Sequence, residues 1–472
     1  MCPRRFRTVA LALGAAAWEA VAAVQALDAQ SVRLHGTSTV QYAQLRPIQY
    51  DSAADSGAGA YRSLPLAFAA PFTQDLELSA WGLGVTGLRA YGLFRARAAL
   101  GSGLVWPRSS DHFDALYAYL ELDQTSYLLR AGRQQRASGL GWYAFDGLTA
   151  AWLPIPAIRI EGYGGRGLAR ASLDAPNSSA ITSLDPLRPD HGSILLGASV
   201  RAAPSARSTF TAIYQRELLS DRSGLISERA AFDGRLALGH RLILSGSADA
   251  DVARQQWGKA SLSATVLVSR AWSMALEAFQ YRPALDLTTI WGAFMPESHY
   301  GYTGTATVAA SATVALSGTF TYRRWQPLSS GSPFLVDVGD SQKELGLGAH
   351  VRRGVYALDG SYHLQVGFGG KQSGGDIRVA YAPDPDEGWR AGFRATAFQQ
   401  VGMFRVSGST VYGIGAEIRS PLSHGLACSA DLTRYFQRRL TGQNGLDWNQ
   451  TRASLTLEWT MGADADHAGG YR

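Results

Sequence analysis

The chain has 472 residues, a formal net charge of +6 and 17% charged residues, where an ordinary soluble domain carries ~25%. Mean hydropathy is −0.08, and past the N-terminus no apolar run reaches the ~20 residues of a membrane helix, which excludes a helical membrane protein. Arginines are scattered singly, with no basic run interleaved with aromatics, which argues against a nucleic-acid partner.

The first segment reads as a secretory signal peptide, residues 1–29. Arg4, Arg5 and Arg7 form a basic start, residues 9–17 an apolar stretch, and residues 22–29 a small-residue region that suits cleavage after Ala29. Cys2 would leave with it, so Cys428 would be the one cysteine of the mature chain and no internal disulfide could form.

From residue 32 onward the chain alternates apolar and polar residues again and again. Successive side chains of a strand point to opposite faces, so each segment has one oily and one wet face. Strands are expected to start near residues 32, 75, 87, 113, 127, 145, 157, 193, 207, 225, 240, 257, 272, 301, 315, 342, 354, 375, 388, 410, 426 and 451. In the strand at 113–123, Leu116, Ala118, Leu120 and Leu122 would face outward and Tyr117, Tyr119, Glu121 and Asp123 inward. Cys428 falls on the oily face of its strand, beside Leu426 and Ala430. Trp152, Trp272, Trp389 and Trp459 lie near strand ends, where amphipathic rings settle at a membrane interface.

Short connections alternate with long ones. Residues 84–87, 123–126, 154–157, 203–206, 239–240, 269–271 and 352–354 are short; 46–73, 101–112, 168–192, 282–300 and 326–340 are long. This predicts an all-β transmembrane antiparallel up-and-down barrel of about 22 strands, 18 to 22 being acceptable, over residues 30–461. Residues 462–472 would be a polar periplasmic tail. The mature chain begins almost at once with a strand, which leaves no room for a plug domain. Any constriction would come from loops 46–73 or 282–300. A closed barrel requires the first strand to pair with the last, because an open edge has no partners inside a bilayer. Arg33, His35 or Ser38 would then meet Ser454, Thr456 and Glu458.

Inward ionisable residues of both signs could brace the wall or line a channel. Arg159 is among them, and Arg378, Arg390, Arg394 and Arg419, on neighbouring strands, form a candidate anion-attracting patch beside Glu417. One segment breaks the alternation: Arg130-Ala131-Gly132-Arg133-Gln134, then Gly139, Gly141 and Trp142, then Phe145-Asp146-Gly147. It reads as a strand ending in a Gly-Arg-Gln turn, a short aromatic loop, and a new strand at Phe145. Asp146-Gly147 alone also suits a tight turn or bulge. The segment resembles the alginate-export and related monomeric porin families, which carry a similar Gly-Arg-Gln … Phe-Asp pairing early in the barrel. That resemblance implies charged wall residues along a solute or polysaccharide path, and marks Arg130, Arg133 and Arg136.

Asp359, Ser361 and His363 alternate on one strand and superficially suggest a hydrolytic triad. Side chains two residues apart on a strand stand ~7 Å apart, too far for a nucleophile and its base. Asp464, Asp466 and His467 sit in a Gly/Ala-rich tail and suggest no metal site. The expectation is therefore a non-enzymatic, porin-like channel in a Gram-negative outer membrane, without cofactor or metal. It would pass small hydrophilic solutes, anions among them. The alternatives are an export conduit for an anionic polysaccharide and, last, an outer-membrane hydrolase. Expected partners are outer-membrane lipids, the barrel assembly machinery and the solute or polymer itself.

Overall fold

A computed structural model describes residues 31–45, 48–51, 60–63, 65–100, 113–172, 192–220, 224–282, 298–326, 340–368, 370–383, 388–401, 408–423, 425–439 and 449–462. The expected signal peptide, the tail beyond residue 462 and much of loops 46–73 and 282–300 lie outside these residues.

The strands are β1 (Ser31–Leu45), β2 (Ile48–Asp51), β3 (Ala60–Ser63), β4 (Ala67–Ala69), β5 (Pro71–Trp81), β6 (Leu88–Ala99), β7 (Phe113–Asp123), β8 (Tyr127–Ser138), β9 (Gly141–Ile155), β10 (Ile158–Ser172), β11 (Ser193–Ser205) and β12 (Ser208–Leu219). They continue with β13 (Leu225–Leu238), β14 (Leu242–Asp251), β15 (Gln256–Leu267), β16 (Trp272–Tyr281), β17 (His299–Ser311), β18 (Val314–Trp325), β19 (Ser341–Arg353), β20 (Tyr356–Gly367), β21 (Gly370–Tyr381), β22 (Arg390–Val401), β23 (Ser409–Ser423), β24 (Leu426–Arg439) and β25 (Asn449–Gly462). β2 and β3 pair only with each other, and β4 prolongs β5 against β1. The remaining 22 strands form one closed antiparallel ring. Among the described residues no separate domain fills it.

Closure follows the expected seam. β1 runs antiparallel to β25 from Arg33–Gly462 to Ala43–Arg452, and its other edge pairs with β5. His35 Nδ1 lies 3.0 Å from Thr460 Oγ1, and the Thr39 and Thr456 hydroxyls are 3.2 Å apart. Ser38 corrects one expectation. It sits opposite Leu457 on the outer face and donates to Gln74 Oε1; Thr37 and Thr39 take the inner positions facing Glu458 and Thr456.

Alternation accounts for both surfaces. Leu120, Leu148, Leu262, Leu276, Leu347 and Leu455 point outward and are each more than half exposed. In water such a belt would be strongly unfavourable; against lipid it is the required surface. Inward positions carry hydroxyl ladders: Ser245–Ser263 at 2.7 Å, Ser247–Ser261 at 3.0 Å and Thr303–Thr321 at 3.0 Å. Trp152, Trp272, Tyr356 and Trp459 ring the short-turn end on the outside, and Tyr214, Tyr300, Tyr302 and Tyr412 the other end. Cys428 is outward, opposite Leu457. Tight turns set the alternation of connections. Arg353–Tyr356 closes on Gly354 at φ 58, a left-handed conformation that matches strand twist and is open to glycine.

Candidate functional site

Apart from single bulges, the ladders of the wall are continuous except at β8 and β9. β7 pairs with β8 only from Asp123–Leu128 to Ala118–Arg133. β8 then continues to Ser138 and turns tightly into β9, pairing with it as far as Ser138–Gly141. The expected Gly-Arg-Gln turn and aromatic loop are thus continuous strand, and Asp146-Gly147 lies within β9, not in a turn. The tip of this hairpin leaves the wall and enters the lumen. Arg229, on β13, donates from Nη1 to Leu140 O at 2.9 Å and to the Tyr143 hydroxyl at 3.3 Å. β13 is four strands from β9, roughly 19 Å along the wall at the usual strand spacing. Only a hairpin crossing the interior reaches it.

Glycine makes the bend possible. Gly132, Gly147 and Gly165 stand side by side on β8, β9 and β10, where the ladder to β7 ends. A Cβ on Gly147 would lie 2.0 Å from Gly164 O, and one on Gly165 2.1 Å from Asp146 O. The β9 and β10 backbones approach here more closely than any side chain allows, and a Cβ on Gly132 would meet the Ala118 carbonyl of β7. Beyond this rung both faces of the hairpin are buried. Leu140, Tyr143 and Phe145 pack on Tyr163, Leu195, Ile213 and Ala231 of β10–β13. Trp142 and Ala144 pack on Leu116, with Leu93 and Leu168 alongside. The β6–β7 register skips Leu116, a bulge that places it beside Leu93.

Polar contacts fix the hairpin. Arg136 bonds Glu161, donates to Ser199 Oγ at 3.0 Å, and lies 4.2 Å from the Tyr163 ring centroid. Glu161 also accepts from Arg159 at 2.7 Å. Arg130 donates to Glu121 at 2.6 Å, and Arg89 approaches Asp123 at 3.7 Å. Arg133 stands on the opposite face of β8 from Arg130 and Arg136. It forms a two-pronged pair with Asp146 at 2.8 and 3.0 Å and donates to Ala115 O at 3.0 Å. Gln135 donates to Leu116 O at 2.9 Å. These two side chains serve backbone carbonyls of β7 that β8 has left. Beside the hairpin lies a cavity of about 550 Å³, lined by Arg130, Arg136, Arg159, Arg201, Glu161 and Asp233 among others. Arg201 faces Arg159 across the strands and has no ion pair among the described residues.

The second basic group sits elsewhere on the wall, on β21–β23. Its arginines lie across the strands. Arg378 reaches over β22 to Glu417 above Gly392, where a Cβ would come within 2.7 Å of Glu417 Oε1. Arg394 reaches over Gly415 to Thr433 Oγ1 at 2.9 Å, and Arg419 reaches Glu458 at 2.9 Å. Arg390 faces Arg419 and has no ion pair among the described residues. The fold thus keeps apart the two basic patches expected from sequence. Tyr143, Phe145 and Arg229 were not foreseen as part of the site. The signal was present in Trp142-Tyr-Ala-Phe145, four nonpolar residues in a row, which demand burial on both faces. Asp359, Ser361 and His363 do not converge: Asp359 meets His350 at 2.6 Å and Ser361 donates to Asp376 at 2.5 Å.

No protein-family profile matches the sequence, and no curated protein matches it. Solved structures similar to the chain include a BenF-like porin from Pseudomonas fluorescens, at 9% identity and a TM-score of 0.40 over 92% of this chain and 99% of that one. Acinetobacter baumannii OccAB1 gives 7% identity and a TM-score of 0.43 over 92% and 99%. Pseudomonas aeruginosa OccK3 gives 10% and 0.40 over 91% and 96%.

Proposed function

We propose that this chain is a porin-like channel of the Gram-negative outer membrane that passes small hydrophilic solutes and favours anions. The carrying observation is the two-sided wall: a closed ring of 22 strands, leucine-rich outside and hydroxyl- and charge-rich inside. A bilayer-spanning sheet must close to satisfy its backbone, and a polar interior of this width holds water. The inserted hairpin narrows that interior and puts arginines at the narrowing. Fixed positive charge at a constriction attracts anions and repels cations. Arg201 and Arg390, unpaired among the described residues, supply the uncompensated charge, while Arg136 and Arg419 chiefly brace the wall. A narrowed lumen also suits small solutes better than a polymer.

The decisive test is reconstitution in planar bilayers. Discrete conductance steps with a reversal potential on the anion side are expected. A folded, inserted barrel without steps would refute the channel.

A further inference from the structure

At the long-connection end of the lumen, on strands beyond those that hold the hairpin, a second set of side chains stands without a role in the channel reading. Phe279 and Tyr281 on β16, His299 on β17, Trp325 on β18 and Phe368 just past β20 form a continuous aromatic track. Centroid separations are 6.1 Å for Phe279–His299, 5.4 Å for Tyr281–His299, 5.4 Å for His299–Trp325 and 4.4 Å for Trp325–Phe368. The register puts Tyr281, His299 and Trp325 on one rung. They share the inner face with Glu277, Thr303 and Thr321, opposite the outward Leu276, Tyr302 and Phe320. The track therefore runs along the inside of the mouth across β16, β17 and β18, and Phe368 extends it past β19, which gives no ring to it.

Packing alone does not account for it. The aromatics that hold the hairpin, Tyr143, Phe145 and Tyr163, are buried, whereas every ring of the track is half-buried. Three strands, β16 to β18, give inner-face positions to rings that remain partly exposed at an aqueous mouth, and Phe368 joins them from just past β20. Beside them lie planar polar groups held in place. Arg323 donates to Glu344 at 2.7 Å one step down β18 from Trp325, and Arg282 donates to Gln326 at 3.3 Å at the upper rim. Half-exposed rings with a few fixed hydrogen-bonding groups make a small-molecule site. The guanidinium of Arg323 is neutralised by Glu344, and Arg282 and Glu277, which have no ion pair among the described residues, are of opposite sign, so the patch carries no net charge. An uncharged ring with an apolar face and hydroxyls around its edge fits both features.

We infer that the track Tyr281–His299–Trp325–Phe368 is an entry subsite that binds neutral sugars by stacking. The inference rests on the channel reading for the route, but binding itself can be measured without conduction. Maltohexaose, added from the long-connection side, should interrupt the current through single channels of the full-length protein. In Trp325→Ala the residence time should fall about tenfold, while conductance in sugar-free salt and heat-modifiable gel migration stay as in the parent; Trp325→Phe should retain most of the effect. Equal interruption in the parent and Trp325→Ala would overturn the inference. So would interruption by benzoate but not by maltohexaose. If the barrel conducts nothing, titration calorimetry of maltohexaose onto the detergent-folded protein decides: Trp325-dependent heat upholds the subsite though the channel fails, and absent heat removes both.

Discussion

Arg136 shows how much one side chain can carry in a polar lumen. Its guanidinium joins Glu161, Ser199 and the Tyr163 ring, and so ties the hairpin to β10 and β11. Breaking a largely buried pair costs several kcal/mol when the partner is left alone, but Glu161 keeps Arg159. Arg136→Ala should therefore lower stability by roughly 2 kcal/mol in denaturant unfolding, and raise open-channel noise because the hairpin loses its anchor. The face on which each arginine stands follows from parity once β8 runs unbroken through the turn expected at Gly132-Arg133-Gln134. Arg130 and Arg136 are six residues apart in one strand and share a face; Arg133, an odd number from both, cannot join them. The partners were not legible, since Glu161 and Ser199 belong to other strands and register is a property of the assembled sheet.

Strands were the most readable elements, because a two-residue period repeated under lipid leaves little freedom. Observed starts lie within a few residues of those expected throughout, and the count of 22 stands. The β8–β9 hairpin was the exception, and for a physical reason. Its tip meets protein on both faces, so the alternation that marks a wall strand disappears and the segment imitates a loop. The glycine rung tests this account. In Gly147→Ala the new Cβ meets the Gly164 carbonyl, which is backbone and cannot swing aside. Overpacking of this kind costs about 1–3 kcal/mol. A smaller heat-resistant folded fraction on gels is expected, and the surviving channels should show altered conductance because the hairpin no longer bends at its proper angle.

For the whole molecule the question is where uncompensated charge lies. Many inward charges are matched: Arg95 with Asp75, Arg229 with Asp249, Arg323 with Glu344, Arg378 with Glu417 and Arg419 with Glu458. Matched pairs stiffen a wide wall but create little net field. Selectivity should therefore follow the unmatched cations. Arg390→Ala and Arg394→Ala should move the reversal potential toward the non-selective value, and Arg378→Ala, which frees Glu417, should move it further toward cations. Reversal potentials in a salt gradient measure the order. Unchanged values in all three would locate selectivity at the hairpin instead. The closed form was foreseeable from the need to satisfy backbone groups in lipid; the division of charge into braces and free cations was not, because it depends on arginines reaching two strands across.

A closed barrel is supposed to have no edge, yet the departure of the hairpin gives this one a short edge within its own wall. Along residues 113–117, β7 keeps β6 on one side and, among the described residues, has no strand on the other. Arg133 and Gln135 serve only the carbonyls there, so amide protons on that side are left without a ladder partner. They should take up deuterium well before those of the uninterrupted β23–β24 ladder, in a patch that hydrogen-exchange mass spectrometry can resolve. Locking the hairpin to β13 with a cysteine pair at Leu140 and Ala231 should leave that patch fast. Slow exchange there in the parent protein would mean that β8 returns to the wall in the membrane and that the lumen is wider than the inserted hairpin allows.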